Sequence, residues 1–303
     1  MTCVITHMDS DGVISLSFIL RVRRVERVYF TSPTQLKDTL CYSMIGNKNL
    51  EEVIITDLTG SRETLILSSV YQSALWLDHH EWEDDLKIPE NVKVVVKPGS
   101  KSAARVVAEY FGIESKLVDM ADEIDTNSVE SEEARFIRNV VGAIRLNYHG
   151  MKLNEKLMQF ALDLNKEDFS LLKEKYGEME EEYQKHIERI ANQVREKTRI
   201  YNIANLKVGI FETTESIPVY VATNELEDKE LDILIVVSYR MNRNGKPYTK
   251  LEFRTHTGKD VLKIAKFFGG GGHILASGAT VPEIVTVTDI LNVISMLYGK
   301  EGE

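Results

Sequence analysis

Five short apolar runs, separated by stretches of helical periodicity, constrain the first half of this chain more than any other feature. Residues 3–6, 28–30, 53–56, 74–77 and 92–96 are largely apolar, several of them rich in β-branched side chains, with no sustained polar alternation. Strands of that kind need cover on both faces, which helices packed on either side of a parallel sheet provide. Helical spacing falls between them over 13–22, 33–45 and 63–71, and after the last over 102–111. The alternation predicts an α/β domain with a doubly wound, mostly parallel sheet.

The residues that end these runs point to chemistry. His7, Asp9, Asp11 and Gly12 follow the first run, Asp57 ends the third, and Asp78-His79-His80 end the fourth. In open α/β sheets the carboxyl ends of the strands share one edge, where ligands bind. Carboxylates crowded there repel one another, so the edge needs cations or some carboxyls must keep their protons. Mixed aspartate and imidazole donors suit Mn²⁺, Zn²⁺ or Fe²⁺ better than Ca²⁺. In two-metal sites the ions stand about 3.5–4 Å apart, and Asp57, from its own strand between the other clusters, is placed to bridge them. Such ions activate water near neutral pH and neutralise phosphoryl charge, which fits attack on a phosphodiester or phosphoanhydride.

From 132 to 201 the pattern is helical and heavily charged. Its last helix carries the stripe Tyr183, Ile187, Ile190, Ala191, Val194 and is expected to end near 200, with 202–205 as a hinge. Beyond it, 208–211, 219–222, 233–238 and 250–254 read as strands, 243–247 as a turn, and 261–268 and 287–298 as helices. The expected division is a metal-binding domain over 1–182, a helical linker over 183–202 and a smaller C-terminal α/β domain over 203–303. A formal charge of -10 speaks against a generally basic nucleic-acid coat protein. With Cys3 and Cys41 as the only cysteines, no disulfide framework is indicated. No signal-like start or membrane-length apolar run is seen, so a cytoplasmic protein is expected.

Asp78-His79-His80 resembles the signature of the DHH phosphoesterase superfamily. His7-x-Asp9-x-Asp11-Gly12 resembles its first motif and Asp57 its second. Phe268 to Gly278 is similar to the glycine-rich signature of the associated DHHA1 domain, with Arg254 upstream where that domain carries a phosphate-binding arginine. The resemblance spans nearly the whole chain and implies two α/β domains around a cleft. It implies that His7 and Asp9 bind one metal and Asp11 and His79 the other, with Asp57 bridging. Asp78 would orient a neighbouring imidazole, and His80 would face the substrate or the first metal. The last ligand is an aspartate among Asp119, Asp122 and Asp125. Asp125, at the expected helix end and followed by Thr126, resembles the Asp-Thr of the small oligonucleases, with Asp122 the alternative. Gly270, Gly271, Gly272, His273 and Arg254 would bind substrate phosphate. Lys97, Lys101 and Arg105 either line the cleft or belong to a solvated helix start.

The function implied is that of a Mn²⁺-dependent phosphodiesterase, with Mg²⁺ or Co²⁺ as substitutes, acting on short single-stranded RNA or DNA to yield mononucleotides. The layout resembles the nanoRNases of the family, which lack an added oligonucleotide-binding domain. A RecJ-like single-strand DNA exonuclease and a cyclic-dinucleotide phosphodiesterase are the alternatives, and a replication-associated scaffold is the non-enzyme reading. Assembly as a homodimer follows by analogy alone.

Overall fold

The computed structural model describes residues 2–45, 49–242 and 244–299. The N-terminal apolar runs are β1 (Thr2–His7), β2 (Val25–Thr31), β3 (Glu52–Thr56), β4 (Ser73–Asp78) and β5 (Val92–Val96). They form one sheet in the order β2-β1-β3-β4-β5, parallel at every pairing. Helices α1 (Ser10–Val22) and α4 (Ala103–Phe111) cover one face, packing on Val4, Ile54, Leu75 and Leu77. Helices α2 (Leu36–Met44) and α3 (Arg62–Ser68) cover the other, over Cys3, Ile5, Val53, Ile55 and Trp76. Neighbouring residues of each strand thus enter different cores, which is why the strands carry no polar alternation. The strand order reverses between β1 and β3, and that switch point puts the ends of β1, β3 and β4 side by side.

Four more helices follow: α5 (Leu117–Asp125), α6 (Glu132–Asn147), α7 (Gly150–Leu164) and α8 (Phe169–Lys197). Leu117, Phe136 and Phe160 extend the core over α1 and α4. Asn154 of α7 closes the open edge of β2. Its Oδ1 accepts from the Phe30 amide and its Nδ2 donates to the Val28 carbonyl, each at 2.9 Å. A side-chain amide stands where another strand could pair.

Two compact units meet within α8, between Gln184 and Lys185. The second contains β6 (Arg199–Ile203), β7 (Leu206–Thr213), β8 (Ile233–Met241), β9 (Pro247–Arg254), β10 (Gly271–Gly272) and β11 (Ala276–Val281). They form a mixed sheet in the order β10-β11-β9-β8-β7-β6, in which only β7 and β8 run parallel. Helices α9 (Val219–Glu225), α10 (Leu262–Phe267) and α11 (Val287–Tyr298) complete it.

Two sequence expectations fail here. Residues 219–222, read as a strand from their β-branched run, begin α9 instead. Parallel β7 and β8 need a crossover, and Val221 and Ala222 bury against Phe211, Leu234 and Val236, so topology overrides propensity. The helical stretch expected to reach about 200 stops at Lys197, so the linker is not helical to 202. Arg199–Ile203 pairs antiparallel with β7, and the expected hinge is the two-residue turn Ala204-Asn205, both at positive φ (49° and 58°). Arg243, first in the turn expected at 243–247, lies outside the described residues. Among the described residues no helix is long and apolar enough to cross a membrane.

Candidate metal centre

The end of β1 folds back tightly into α1. Asp9 caps the helix, its Oδ1 accepting from the Gly12 amide at 3.0 Å, while its Oδ2 stands 2.6 Å from His7 Nδ1. Only glycine fits at position 12, because a Cβ there would lie 2.2 Å from the His7 carbonyl oxygen. Asp11, in the first helical turn, is 1% exposed. Its two oxygens accept from the amides of Ala103 (2.6 Å) and Ala104 (2.8 Å), which open α4. At the end of β3, Asp57 sits at φ 58°, a left-handed conformation uncommon outside glycine.

The strand ends, the first turn of α1 and the last residue of α5 bring six predicted residues together. Donor atoms of His7, Asp9 and Asp57 lie within 4.8 Å of one another, and so do those of Asp11, His79 and Asp125. Asp57 reaches both groups through different oxygens, Oδ2 at 3.6 Å from His7 Nδ1 and Oδ1 at 3.8 Å from His79 Nε2. His79 Nε2 also stands 4.0 Å from Asp11 Oδ2 and 3.5 Å from Asp125 Oδ2.

Whether this arrangement fits cations is decided by its unmet bonds. Asp57 Oδ2 and His79 Nε2 are buried and have no hydrogen-bond partner, although an unpaired buried polar atom costs ~1–3 kcal/mol. His79 Nδ1 faces the Ser100 carbonyl oxygen at 3.0 Å, and a carbonyl can only accept, so Nδ1 carries the proton and Nε2 a lone pair. That lone pair faces oxygens of three carboxyls and has no cation to meet, so the group is short of positive charge. Ligands each about 2.0–2.2 Å from one cation would have roughly this mutual spacing. The donors fit a divalent metal pair.

Electrostatics agree with that fit. Burial, then the charges of Asp9, Asp11 and Asp125, hold the Asp57 carboxyl well above the usual carboxylate range. Burial, then Asp125 and Asp9, does the same to Asp11 against the pull of the two amides. Burial and the Asp9 charge raise Asp125 to about 6, opposed by the nearby imidazoles. Burial would raise Asp9 too, but the charge and hydrogen bond of His7 hold it below its ordinary value. These groups compete for a deficit of positive charge.

Asp78 is fully buried and committed to protein donors. Oδ1 takes the His79 amide (2.9 Å) and His80 Nδ1 (2.8 Å), and Oδ2 takes Trp82 Nε1 (2.7 Å). Burial would raise Asp78 and lower His80, but their pairing wins in both, lowering the acid and raising the imidazole. Trp82 packs edge-on against Trp76, ring centroids 5.2 Å apart, so the tryptophans support the loop through a hydrogen bond as well as packing. Asp122 stands apart from the donor groups, gripped by Arg105 and Ser102. Arg105 is committed to Asp122 from the first turn of α4, and Lys97 pairs with Glu109 at 2.6 Å. Sequence reasoning missed the Ser100 carbonyl and the Ala103 and Ala104 amides, because backbone groups leave no mark on residue identity.

In the second unit Arg254, Gly270, Gly271, Gly272 and His273 lie in neighbouring strands and their turn. Arg254 pairs across the sheet with Ala276, and His273 and Ala276 exchange backbone hydrogen bonds at 2.8 and 3.2 Å to close the hairpin. Packing requires glycine at 270, where a Cβ would stand 2.1 Å from the Gly278 carbonyl oxygen. It requires glycine at 272 as well, where φ is 127°. At Gly271 a Cβ would meet nothing within 4 Å, so the fold makes no demand there. The half-buried Arg254 has, among the described residues, no carboxylate within ion-pair distance.

A parallel sheet in this strand order, an aspartate-histidine rim at its carboxyl edge and a second mixed-sheet unit define the class: the fold is that of the DHH-domain phosphoesterases. The sequence matches no protein-family model and no curated protein. Solved structures share the fold. A pGpG-specific phosphodiesterase, PggH from Vibrio cholerae, superposes with a TM-score of 0.63 at 17% identity, covering 99% of this chain and 98% of that one. RecJ in complex with Mn²⁺ from Thermus thermophilus gives 0.61 at 14% identity, covering 99% of this chain and 52% of RecJ. The DHH domain of a member of the s1p family of ribosomal proteins gives 0.57 at 13% identity, covering 99% and 86%.

Proposed function

We propose that the chain is a two-metal phosphodiesterase that hydrolyses short single-stranded oligonucleotides, dinucleotides included, to mononucleotides, with Mn²⁺ as the preferred ion and Mg²⁺ or Co²⁺ as substitutes. The observation that carries the reading is Asp57, which faces His7 with one oxygen and His79 with the other while its Oδ2 stays buried and unpaired. The ligand set is His7, Asp9, Asp57, Asp11, His79 and Asp125. Asp125 is preferred to Asp122 because it faces His79 Nε2 and Asp122 is already committed to Arg105. When bound, such ions neutralise the rim and phosphoryl charge and activate water. The chain's own groups do the rest. The Ser100 carbonyl holds His79 in the ligating tautomer, and the first amides of α4 aim Asp11. His80, kept cationic to higher pH by Asp78, donates to a phosphoryl or leaving oxygen. Arg254, the amides around Gly271 and Gly272, and His273 hold a second phosphate of the substrate.

A short substrate suits an acidic chain, since each additional phosphate asks for cationic contacts that a charge of -10 does not favour. The pGpG-specific neighbour, matched over 98% of its length, agrees with a small substrate. Incubation of the full chain with Mn²⁺ and end-labelled RNA and DNA of graded length tests the proposal. Conversion of dinucleotides and other short RNA to mononucleotides, with rates falling as length rises, is expected. Vigorous degradation of long DNA instead supports the RecJ-like exonuclease. A chain inert with every ion contradicts the enzymatic reading.

A further inference from the structure

Asp122 lies one helical turn before Asp125 on α5, and its carboxylate is gripped by α4. Arg105 Nε and a terminal nitrogen reach Oδ2 at 2.8 and 2.6 Å, and Ser102 Oγ donates to Oδ1 at 2.7 Å. Asp122 is only 5% exposed, so its carboxylate is withdrawn from the water that makes surface ion pairs weak, while Arg105 stays partly exposed. The second contact of Arg105, with Asp119 at 3.0 Å, falls on a side chain 81% exposed and adds little.

The same short stretch also reaches the other members of one donor group. Ser100 accepts from His79 through its carbonyl, and Ala103 and Ala104 hold Asp11. Ser102, between them, caps α4 by accepting from the Arg105 amide at 3.2 Å. Residues 100–105 therefore hold two of the three members of the Asp11–His79–Asp125 group directly. The third is reached only through Asp122, because residues three apart share a helix face. Helix α5 is nine residues long, and at its N-terminus Lys116 makes no capping bond, the Leu117 amide donating instead to Ser115 Oγ at 3.1 Å. Among the described residues, no hydrogen bond from 100–105 reaches His7, Asp9 or Asp57.

We infer that Arg105 and Asp122 form a strut that positions Asp125, so that it sets the affinity of the metal site on the His79 side and leaves the site on the His7 side unaffected. Arg105 and Asp122 are positioning residues; neither contacts an ion or substrate. This rests on the two-metal reading above. The strut explains why a second buried aspartate stands so close to the ligands without being one.

Mn²⁺ titration of the full chain by calorimetry, with electron paramagnetic resonance of the bound ions, tests it in Arg105→Ala, Arg105→Lys and Asp122→Asn. The expected result is one site of unchanged affinity and one weakened ~10–100-fold in Arg105→Ala, the scale for removing a support behind a metal ligand. The spin-coupled signal of the pair should give way to that of isolated ions at equal loading. Arg105→Lys, which keeps the charge and one donor, should recover most of the loss. Should Arg105→Ala fail to fold, Asp122→Asn keeps an acceptor for Ser102 and is expected to show the same selective weakening. A wild-type chain that binds fewer than two ions overturns the two-metal reading and the strut with it. Two ions in the wild type, with both affinities unchanged or equally weakened in the variants, overturn the strut alone.

Discussion

Replacing Asp57 with asparagine sets the metal-free and metal-bound states against each other. Asp57 is 3% exposed, one of its oxygens accepts no hydrogen bond, and the charges of Asp9, Asp11 and Asp125 all oppose its ionisation. A buried acceptor left unpaired costs ~1–3 kcal/mol, and like-charge repulsion adds to it. Asparagine keeps the size, offers an N–H to the neighbouring carboxylates, and tolerates φ 58° better than alanine does. In chelator at neutral pH, Asp57→Asn is therefore expected to be more stable than wild type by about 1–3 kcal/mol, read at roughly 2–4 °C per kcal/mol for a unit of this size. Saturating Mn²⁺ should reverse the order. A ligand at a hundred times its dissociation constant stabilises by about 2.7 kcal/mol, and an asparagine amide cannot serve two ions with two oxygens. Scanning calorimetry of both chains, in EDTA and in Mn²⁺, reads all four values. A variant less stable than wild type in EDTA, or one that Mn²⁺ stabilises as much as wild type, refutes the idea that this carboxylate is held unsatisfied for cations.

Metal binding should release protons near pH 6, because Asp125 is raised to about 6 and Asp11 and Asp57 are likewise held above the usual carboxylate range. Calorimetry in buffers of different ionisation enthalpy counts them; heats independent of buffer would contradict it. The sign for stability follows from the same shifts: these carboxyls bind more protons folded than unfolded, so their contribution to metal-free stability falls as pH rises from about 4 through 6. Asp78→Asn, which turns an acceptor of Trp82 Nε1 into a donor, should cost about 1–3 kcal/mol of stability. It should also lower the His80 pKa, since Asp78 is what raises it, which NMR titration of His80 reads directly. Gly271→Ala should fold with an unchanged Tm yet raise KM, whereas Gly272→Ala, at φ 127°, should lose stability; thermal melts beside initial-rate kinetics separate the two.

Much of the first unit was legible because its strands are apolar on both faces and end in groups that suit no core. Val53–Ile55 and Ala74–Leu77 could only be central strands, which puts Asp57 and Asp78 at one edge. The choice between Asp122 and Asp125 was not legible in the same way. They share a helix face, and what separates them is Arg105, 17 residues from Asp122 and brought there only by the packing of α4 on α5. The left-handed backbone of Asp57 and the carbonyl of Ser100 are likewise products of the fold. In the second unit, residues 219–222 carry strand propensity into a helix because the crossover between β7 and β8 needs one. Local preference yields there to connectivity, and no window of sequence that short records it.

Asp57 is expected to join two metal sites. Anomalous diffraction from crystals grown with Mn²⁺ tests it most directly. Two peaks about 3.5–4 Å apart are expected, one bound by His7 and Asp9, the other by Asp11, His79 and Asp125, with an Asp57 oxygen on each. A single peak, or two ions that leave Asp57 without a metal contact, would contradict it.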